Sequence, residues 1–177
     1  MNALYRGILL SCLGITLGLG AWAGEASHGF AYFGDLKYSA DMPHFDYVNP
    51  NAPKGGLMRG GDTLQFNNLN HFADKGTLAW YADSLIFEPL MMQSDDEIAS
   101  YYGRLAKTIQ VADDYAWVEY SLRTHARWHD GQPVTVDDVI WTFRTLKNEG
   151  SPTWRNQHRD IQRIERTGTW SFKFHFT

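Results

Sequence analysis

Ala126-Arg127-Trp128-His129-Asp130-Gly131-Gln132-Pro133-Val134-Thr135-Val136-Asp137-Asp138-Val139-Ile140-Trp141-Thr142-Phe143 is the stretch on which the reading of this chain turns. Asp130-Gly131 is a tight-turn pair, because an aspartate side chain bonds backbone two residues on and glycine tolerates a positive φ. Thr135 then opens a helix: its hydroxyl can accept from the Asp138 amide, and Asp137-Asp138 sit in the positive first turn. Val136, Val139, Ile140, Phe143 and Leu146 recur at the spacing of one helical face, and Gly150 with Pro152 supplies the stop. Each residue has a turn, cap or packing task, so the stretch reads as scaffold and not as a catalytic site.

Working outward, 108–111 and 117–123 flank Ala112-Asp113-Asp114-Tyr115-Ala116, which predicts a hairpin. Val118, Tyr120 and Leu122 then share one face, opposite Glu119, Ser121 and Arg123. Downstream, Trp170, Phe172, Phe174 and Phe176 alternate with Ser171, Lys173 and His175, the period of a strand. Thr167-Gly168-Thr169 turns into that strand from 161–166, giving a second hairpin. Upstream, 77–87 places Leu78, Tyr81, Ala82, Leu85 and Ile86 on one helical stripe, with Thr77 as cap and Pro89 close behind. Residues 57–66 read as a strand bent at Gly60-Gly61, followed by a turn at Asn67-Asn68-Leu69-Asn70. The stretch 28–56, densest in turn residues from Asn49 to Gly56, reads as an irregular strap.

Composition bounds the function. The chain has 177 residues with 16 Lys+Arg against 20 Asp+Glu, a formal charge of −4. Nothing builds the positive footprint that phosphate neutralisation requires, so nucleic-acid binding is excluded. At 44% apolar and 15% aromatic the chain can bury a core, and its length points to one domain. Cys12 is the single cysteine, which excludes an intramolecular disulfide and a cysteine-based zinc site. Arg6 precedes an uncharged run from Gly7 to Gly20 that is shorter than the ~20 residues a membrane-crossing helix needs. Ala21-Trp22-Ala23 follows with the small-residue pattern of a cleavage site, so residues 1–23 read as a secretory signal peptide. Cys12, after Leu9-Leu10-Ser11, loosely resembles a lipoprotein acylation site, but apolar residues continue to Leu19, past where an acylated cysteine should close the run. Removal of 1–23 leaves 24–177 without cysteine and one charge more acidic, which fits an oxidising periplasm.

Ser121-Leu122-Arg123, the stretch 126–135 and Asp137-Asp138-Val139-Ile140-Trp141-Thr142-Phe143 together resemble the signature of the family 5 extracellular solute-binding proteins, the peptide, oligopeptide and nickel receptors of ABC importers. A second block, His44-Phe45-Asp46-Tyr47-Val48-Asn49-Pro50-Asn51-Ala52-Pro53-Lys54-Gly55-Gly56, is similar to the YejA-type branch, which takes up oligopeptides and the peptide antibiotic microcin C. The resemblance implies an α/β, two-lobed periplasmic-binding-protein fold of type II. Residues 24–177 would be a partial domain, the N-terminal part of lobe one, with a mixed sheet, hairpins and covering helices. It also implies a monomeric periplasmic receptor that is no enzyme and carries no cofactor or metal. Such a receptor captures an oligopeptide or a microcin C-like peptide by hinge closure, then docks on an inner-membrane ABC permease.

Peptide binding in the family implies the loop after the first strand, where backbone runs alongside the ligand. The family pattern there resembles Leu69-Asn70-His71-Phe72 followed by Lys75-Gly76, with His71 standing where relatives usually show proline. Phe72, Ala73, Asp74, Lys75 and Gly76 are the candidate ligand-facing residues, against the plainer reading of a solvated turn before a helix. His125 and His129 have a spacing that would join on a metal only in a helix, and with Asp130 they fall between a strand and a turn. A hydrolase reading lacks the G-x-S-x-G elbow. Asp95-Asp96-Glu97 reads as a solvated acidic loop, or as a docking point for a basic partner or a peptide amine. Phe172, Phe174 and Phe176 lie next to the last residue, Thr177, and are expected to lack a cover. The chain is therefore expected to be a piece of a longer receptor that binds peptide weakly or not at all without a second lobe. Two further expectations stand beside that one: a non-binding remnant of a truncated gene, aggregating through its aromatic edge, and a small metal-dependent or hydrolytic enzyme built on His125, His129 and Asp130.

Overall fold

The computed structural model describes residues 24–177, apart from Met58, Asp62, Leu64, Trp80 and the side chain of Asp83. The segment 1–23, read from its sequence as a signal peptide, lies outside the described residues. In chain order the elements are β1 (Gly29–Ala31), α1 (Ala82–Ile86), β2 (Met91–Gln93), β3 (Ser100–Gly103), β4 (Ala106–Val111), β5 (Trp117–Leu122), α2 (Val136–Asn148), α3 (Pro152–Gln157), β6 (Ile161–Arg166) and β7 (Ser171–Phe176).

Both expected hairpins form, and they join into one four-stranded sheet in the order β4-β5-β7-β6. Val111 pairs with Val118 beside the first turn. That turn closes through Ala112 N–H to the Trp117 carbonyl at 3.1 Å, with Tyr115 in the left-handed region at φ 58°. β5 pairs with β7 through Val118↔Phe174 and Tyr120↔Phe172, and β7 pairs with β6 through Ile164↔Phe174. α2 starts where its cap dictates: the Thr135 hydroxyl accepts from Asp138 N–H at 3.2 Å, while Thr135 N–H donates to the Asp138 carboxylate at 2.7 Å. Burial works to raise the Asp138 pKa, but bonds from the Thr135 hydroxyl and amide and the Trp128 indole outweigh it and hold the carboxyl below its ordinary range. α2 lays Val136 and Phe143 on the sheet, where they meet Leu122, Ile164 and Phe172 in a closed core. Each such side chain is worth ~1.5–3 kcal/mol of apolar transfer when fully buried. β7 is thus an interior strand. Phe172 is fully buried and Phe174 packs edge-on to Phe143 at 5.4 Å, so α2 covers these two rings of the aromatic face expected to be bare, while Phe176 stays exposed.

A smaller sheet, in the order β1-β3-β2, takes up the start of the strap. Gly29 sits where a Cβ would lie 2.7 Å from the Tyr101 carbonyl oxygen, a distance only glycine accepts. The outer edge of β4 is closed by Ser27 and Ile109, which exchange N–H to carbonyl bonds at 2.8 Å in both directions. Every strand pair in the two sheets is antiparallel, and in β4–β5 and β6–β7 a hairpin turn demands it. Among the described residues, the parallel component of the expected mixed sheet is the bridge Asn68↔Leu78.

Two elements differ from the sequence pattern. No described residue of 57–66 belongs to a strand, and Leu57 and Phe66 are exposed. The helix expected over 77–87 spans only Ala82–Ile86. Thr77 does not cap it, because its carbonyl accepts from the amides of Asn67 and Asn68 and its own amide donates to Asn67 Oδ1 at 2.8 Å. These bonds hold 77–79 extended, and Leu85, on the expected apolar stripe, is 73% exposed.

Candidate functional site

The loop 67–79 is built by its asparagines. Asn68 donates from Nδ2 to the carbonyls of Asn70 and Lys75 at 3.2 and 3.3 Å, and its Oδ1 accepts from Asn70 N–H at 2.8 Å. Asn70 Oδ1 in turn accepts from Phe72 N–H at 3.0 Å, an Asx turn that starts the tip. Gly76 closes the tip at φ +102°, where a Cβ would stand 2.8 Å from Asn67 Oδ1. A side chain there would meet both backbone strain and a clash.

Of the five candidate residues, Ala73, Asp74, Lys75 and Gly76 are exposed on this braced turn, and Phe72 is not. The Phe72 ring is half-buried against Phe87, with centroids 5.2 Å apart, and against Trp154 of α3 at 5.1 Å. His71 joins the same cluster, edge-on to Trp154 at 5.1 Å and to Phe72 at 5.4 Å. The imidazole at the position where proline was expected is therefore a packing ring. Phe87 and Trp154 were not legible as neighbours of the loop, since only the tertiary fold brings them to it.

The other polar groups singled out in the sequence are placed elsewhere. His125, His129 and Asp130 are exposed around the turn, where Asp130 Oδ1 accepts from Gln132 N–H at 2.9 Å and Gly131 adopts φ +87°. Among the described residues, no three His, Cys, Asp or Glu side chains come together in a way that would hold a metal.

The acidic run 95–97 is not a simple solvated loop, because its basic partner lies within the chain. Lys37 Nζ bonds Asp96 at 2.6 Å and Asp46 at 3.0 Å, the Tyr38 hydroxyl donates to Asp96 at 2.6 Å, and the Tyr102 hydroxyl donates to Glu97 at 2.7 Å. The Lys37 ammonium beside Asp96, with help from Ser94 and Tyr38, holds the Asp96 carboxyl far below its ordinary range. Burial, with Glu97 beside it, pushes the Tyr102 phenol up to about 12. This clasp pins the strap to the β2–β3 turn over a ring cluster of Tyr38, Phe45 and Tyr102. A shallow concavity of about 310 Å³ lies between the strap and the β4–β5 turn, lined by Glu25, Phe30, Ile109, Asp113 and Tyr115 among others, and includes none of residues 72–76.

The family of bacterial extracellular solute-binding proteins, family 5 middle, matches residues 100–177. The chain is 40% identical over 150 residues to the uncharacterized protein YejA of Escherichia coli K12, covering 85% of this chain and 25% of that one. It is 36% identical over 156 residues to the peptidoglycan-binding protein YepA of Agrobacterium fabrum, covering 84% of this chain and 25% of that one. The chain thus spans about a quarter of the length of these curated relatives. Among solved structures, the oligopeptide-binding protein AppA of Bacillus subtilis, in complex with a nonapeptide, matches with a TM-score of 0.52 at 15% identity, over 64% of this chain and 22% of that one. That likeness is one of fold, and the described residues are a partial α/β piece of the type II periplasmic-binding-protein architecture. Proteins of this family bind solutes and are not enzymes, so the reading of His125, His129 and Asp130 as a catalytic group falls away. The match over 100–177 and the 40% identity to YejA across most of the chain agree with the motifs at 121–143 and 44–56, and make residues 100–177 a segment of the family 5 extracellular solute-binding proteins within a chain similar to YejA.

Proposed function

We propose that this chain is part of the first lobe of a periplasmic receptor that captures short peptides and delivers them to an inner-membrane ABC permease, with residues 1–23 as the export signal. The observation that carries the peptide reading is the braced turn at 72–76. Asn67, Asn68 and Asn70 fix its backbone in advance, so little ordering is left to pay for when an extended ligand runs beside it. Asp74 and Lys75 stand exposed on the same turn with opposite charges, suited to the two ends of a zwitterionic peptide. Peptidoglycan, the ligand in YepA's name, carries short peptide stems, so a free oligopeptide, a microcin C-like peptide and a stem peptide share one chemistry.

Capture in the family pattern needs a second lobe to close over the ligand, which makes binding by this chain alone weak. Titration of the nitrogen-labelled chain with trialanine, followed by amide NMR, tests the reading. The expected result is millimolar affinity with shifts concentrated at Phe72 to Gly76. A parallel titration with an isolated peptidoglycan stem peptide ranks the stem peptide against the free oligopeptide. Absence of shifts from both titrations, or shifts confined to other surfaces, contradicts the proposal and leaves the non-binding remnant.

A further inference from the structure

We propose that Trp154 is a positioning residue for the ligand loop: through Phe72 and His71 it anchors the braced turn to the α2–α3 framework, so that Ala73 to Gly76 are presented in one orientation. The inference rests on the reading of that turn as ligand-facing and adds a residue from a distant element to it.

Bracing and anchoring are separate tasks in this loop. The hydrogen bonds of Asn67, Asn68, Asn70 and Thr77 described above run within 67–79, so they hold the turn's shape without fixing it to the rest of the fold. The ring contacts reach outward. Trp154 meets Phe72 and His71 at 5.1 Å each, with planes inclined at 48° and 73°, the tilted and edge-on arrangements that aromatic rings favour.

Trp154 is itself held on the core side. α3 begins with Pro152 at its first turn, and Gly150 lets it fold tightly against α2, since a Cβ there would meet the Leu146 carbonyl at 2.3 Å and the Trp154 Cβ at 3.0 Å. The His158 ring bonds the Trp154 carbonyl oxygen through Nδ1 at 2.7 Å and tilts against Phe143 at 5.8 Å. Phe143 belongs to the closed core. A continuous run of packed rings therefore leads from the core through His158 and Trp154 to Phe72. Contacts of this kind limit independent motion of a surface loop.

Amide hydrogen exchange on the free chain tests the assignment without any ligand. Trp154→Ala is expected to speed exchange at Phe72, Ala73 and Thr77 roughly tenfold, while Ile109 and Leu122 in the sheet keep their rates. Trp154→Phe, which restores a ring, is expected to stay within about twofold of the parent, and Trp154→Leu, which restores apolar bulk alone, to behave like alanine. If Trp154→Ala does not fold, the phenylalanine and leucine variants carry the same contrast. Unchanged loop rates in the alanine or leucine variant, or equal acceleration of loop and sheet, overturns the proposal. The trialanine titration separates the two readings: shifts at 72–76 in the parent that survive unaltered in Trp154→Ala remove the positioning role and keep the ligand loop.

Discussion

The molecule holds two ring-rich cores of opposite character. Under α2, Leu122, Val136, Phe143, Ile164 and Phe172 close on one another without a charged group among them. Under the strap, Tyr38, Phe45 and Tyr102 pack as tightly, yet two of the three rings end in hydroxyls committed to Asp96 and Glu97. The first is held by area removed from water, which is indifferent to pH. The second is held by a hydrogen-bonded ion network, which is satisfied as a whole and costly to leave in part. The difference teaches where this fold is stiff and where conditions can loosen it.

The strongest way to break the first core is Phe172→Ala. The ring is fully buried in an interior strand, so a loss of ~3–5 kcal/mol is expected in urea unfolding, enough to unfold a marginal domain. Tyr102→Phe is the matching cut in the second core. It leaves Glu97 without its phenol donor and the Tyr38 amide without its acceptor, at an expected cost of ~1–3 kcal/mol. Thr135→Ala removes the cap of α2 without opening either core, and about 1 kcal/mol is expected from the same measurement.

Acid should separate the two cores. The Asp96 carboxyl is depressed in the folded chain, so its contribution is complete above the ordinary aspartate range and is lost as the pH falls through and below it. Burial pulls Glu97 upward, but the Lys37 amide and Tyr102 hydroxyl hold it low and give it the same sign. Near-ultraviolet tyrosine dichroism should report loosening of the strap at a higher pH than the β5–β7 amides lose protection. Simultaneous loss would erase the distinction.

The part of the fold that was legible from sequence is the part governed by local rules. The Thr135 box, the turn at Asp130-Gly131 and the alternation from Ser171 to Phe176 are each decided within a few residues, and α2 and the two hairpins stand where those patterns put them. Local patterns failed where distant backbone competes. Thr77 has the chemistry of a cap, but Asn67 and Asn68 claim its carbonyl, and the helix starts later, at Ala82. The strand pair β1–β3 joins segments some seventy residues apart, each too short to carry a periodic signal. The acidic run at 95–97 looked solvated because Lys37 is remote in sequence. In the candidate site, the turn-forming asparagines and Gly76 were visible as a turn, whereas the meeting of Phe72 with Phe87 and Trp154 depends on how α3 folds back on α2.

The proposal places the peptide contact of this chain on the braced turn at 72–76. A tripeptide carrying a photoreactive diazirine side chain, irradiated with the 177-residue chain and mapped by mass spectrometry, tests it most directly. Adducts are expected to concentrate between Leu69 and Gly76 and to be suppressed by excess trialanine. Adducts gathered instead around Phe30 and Tyr115 at the concavity beside β4, or scattered without competition, would contradict it.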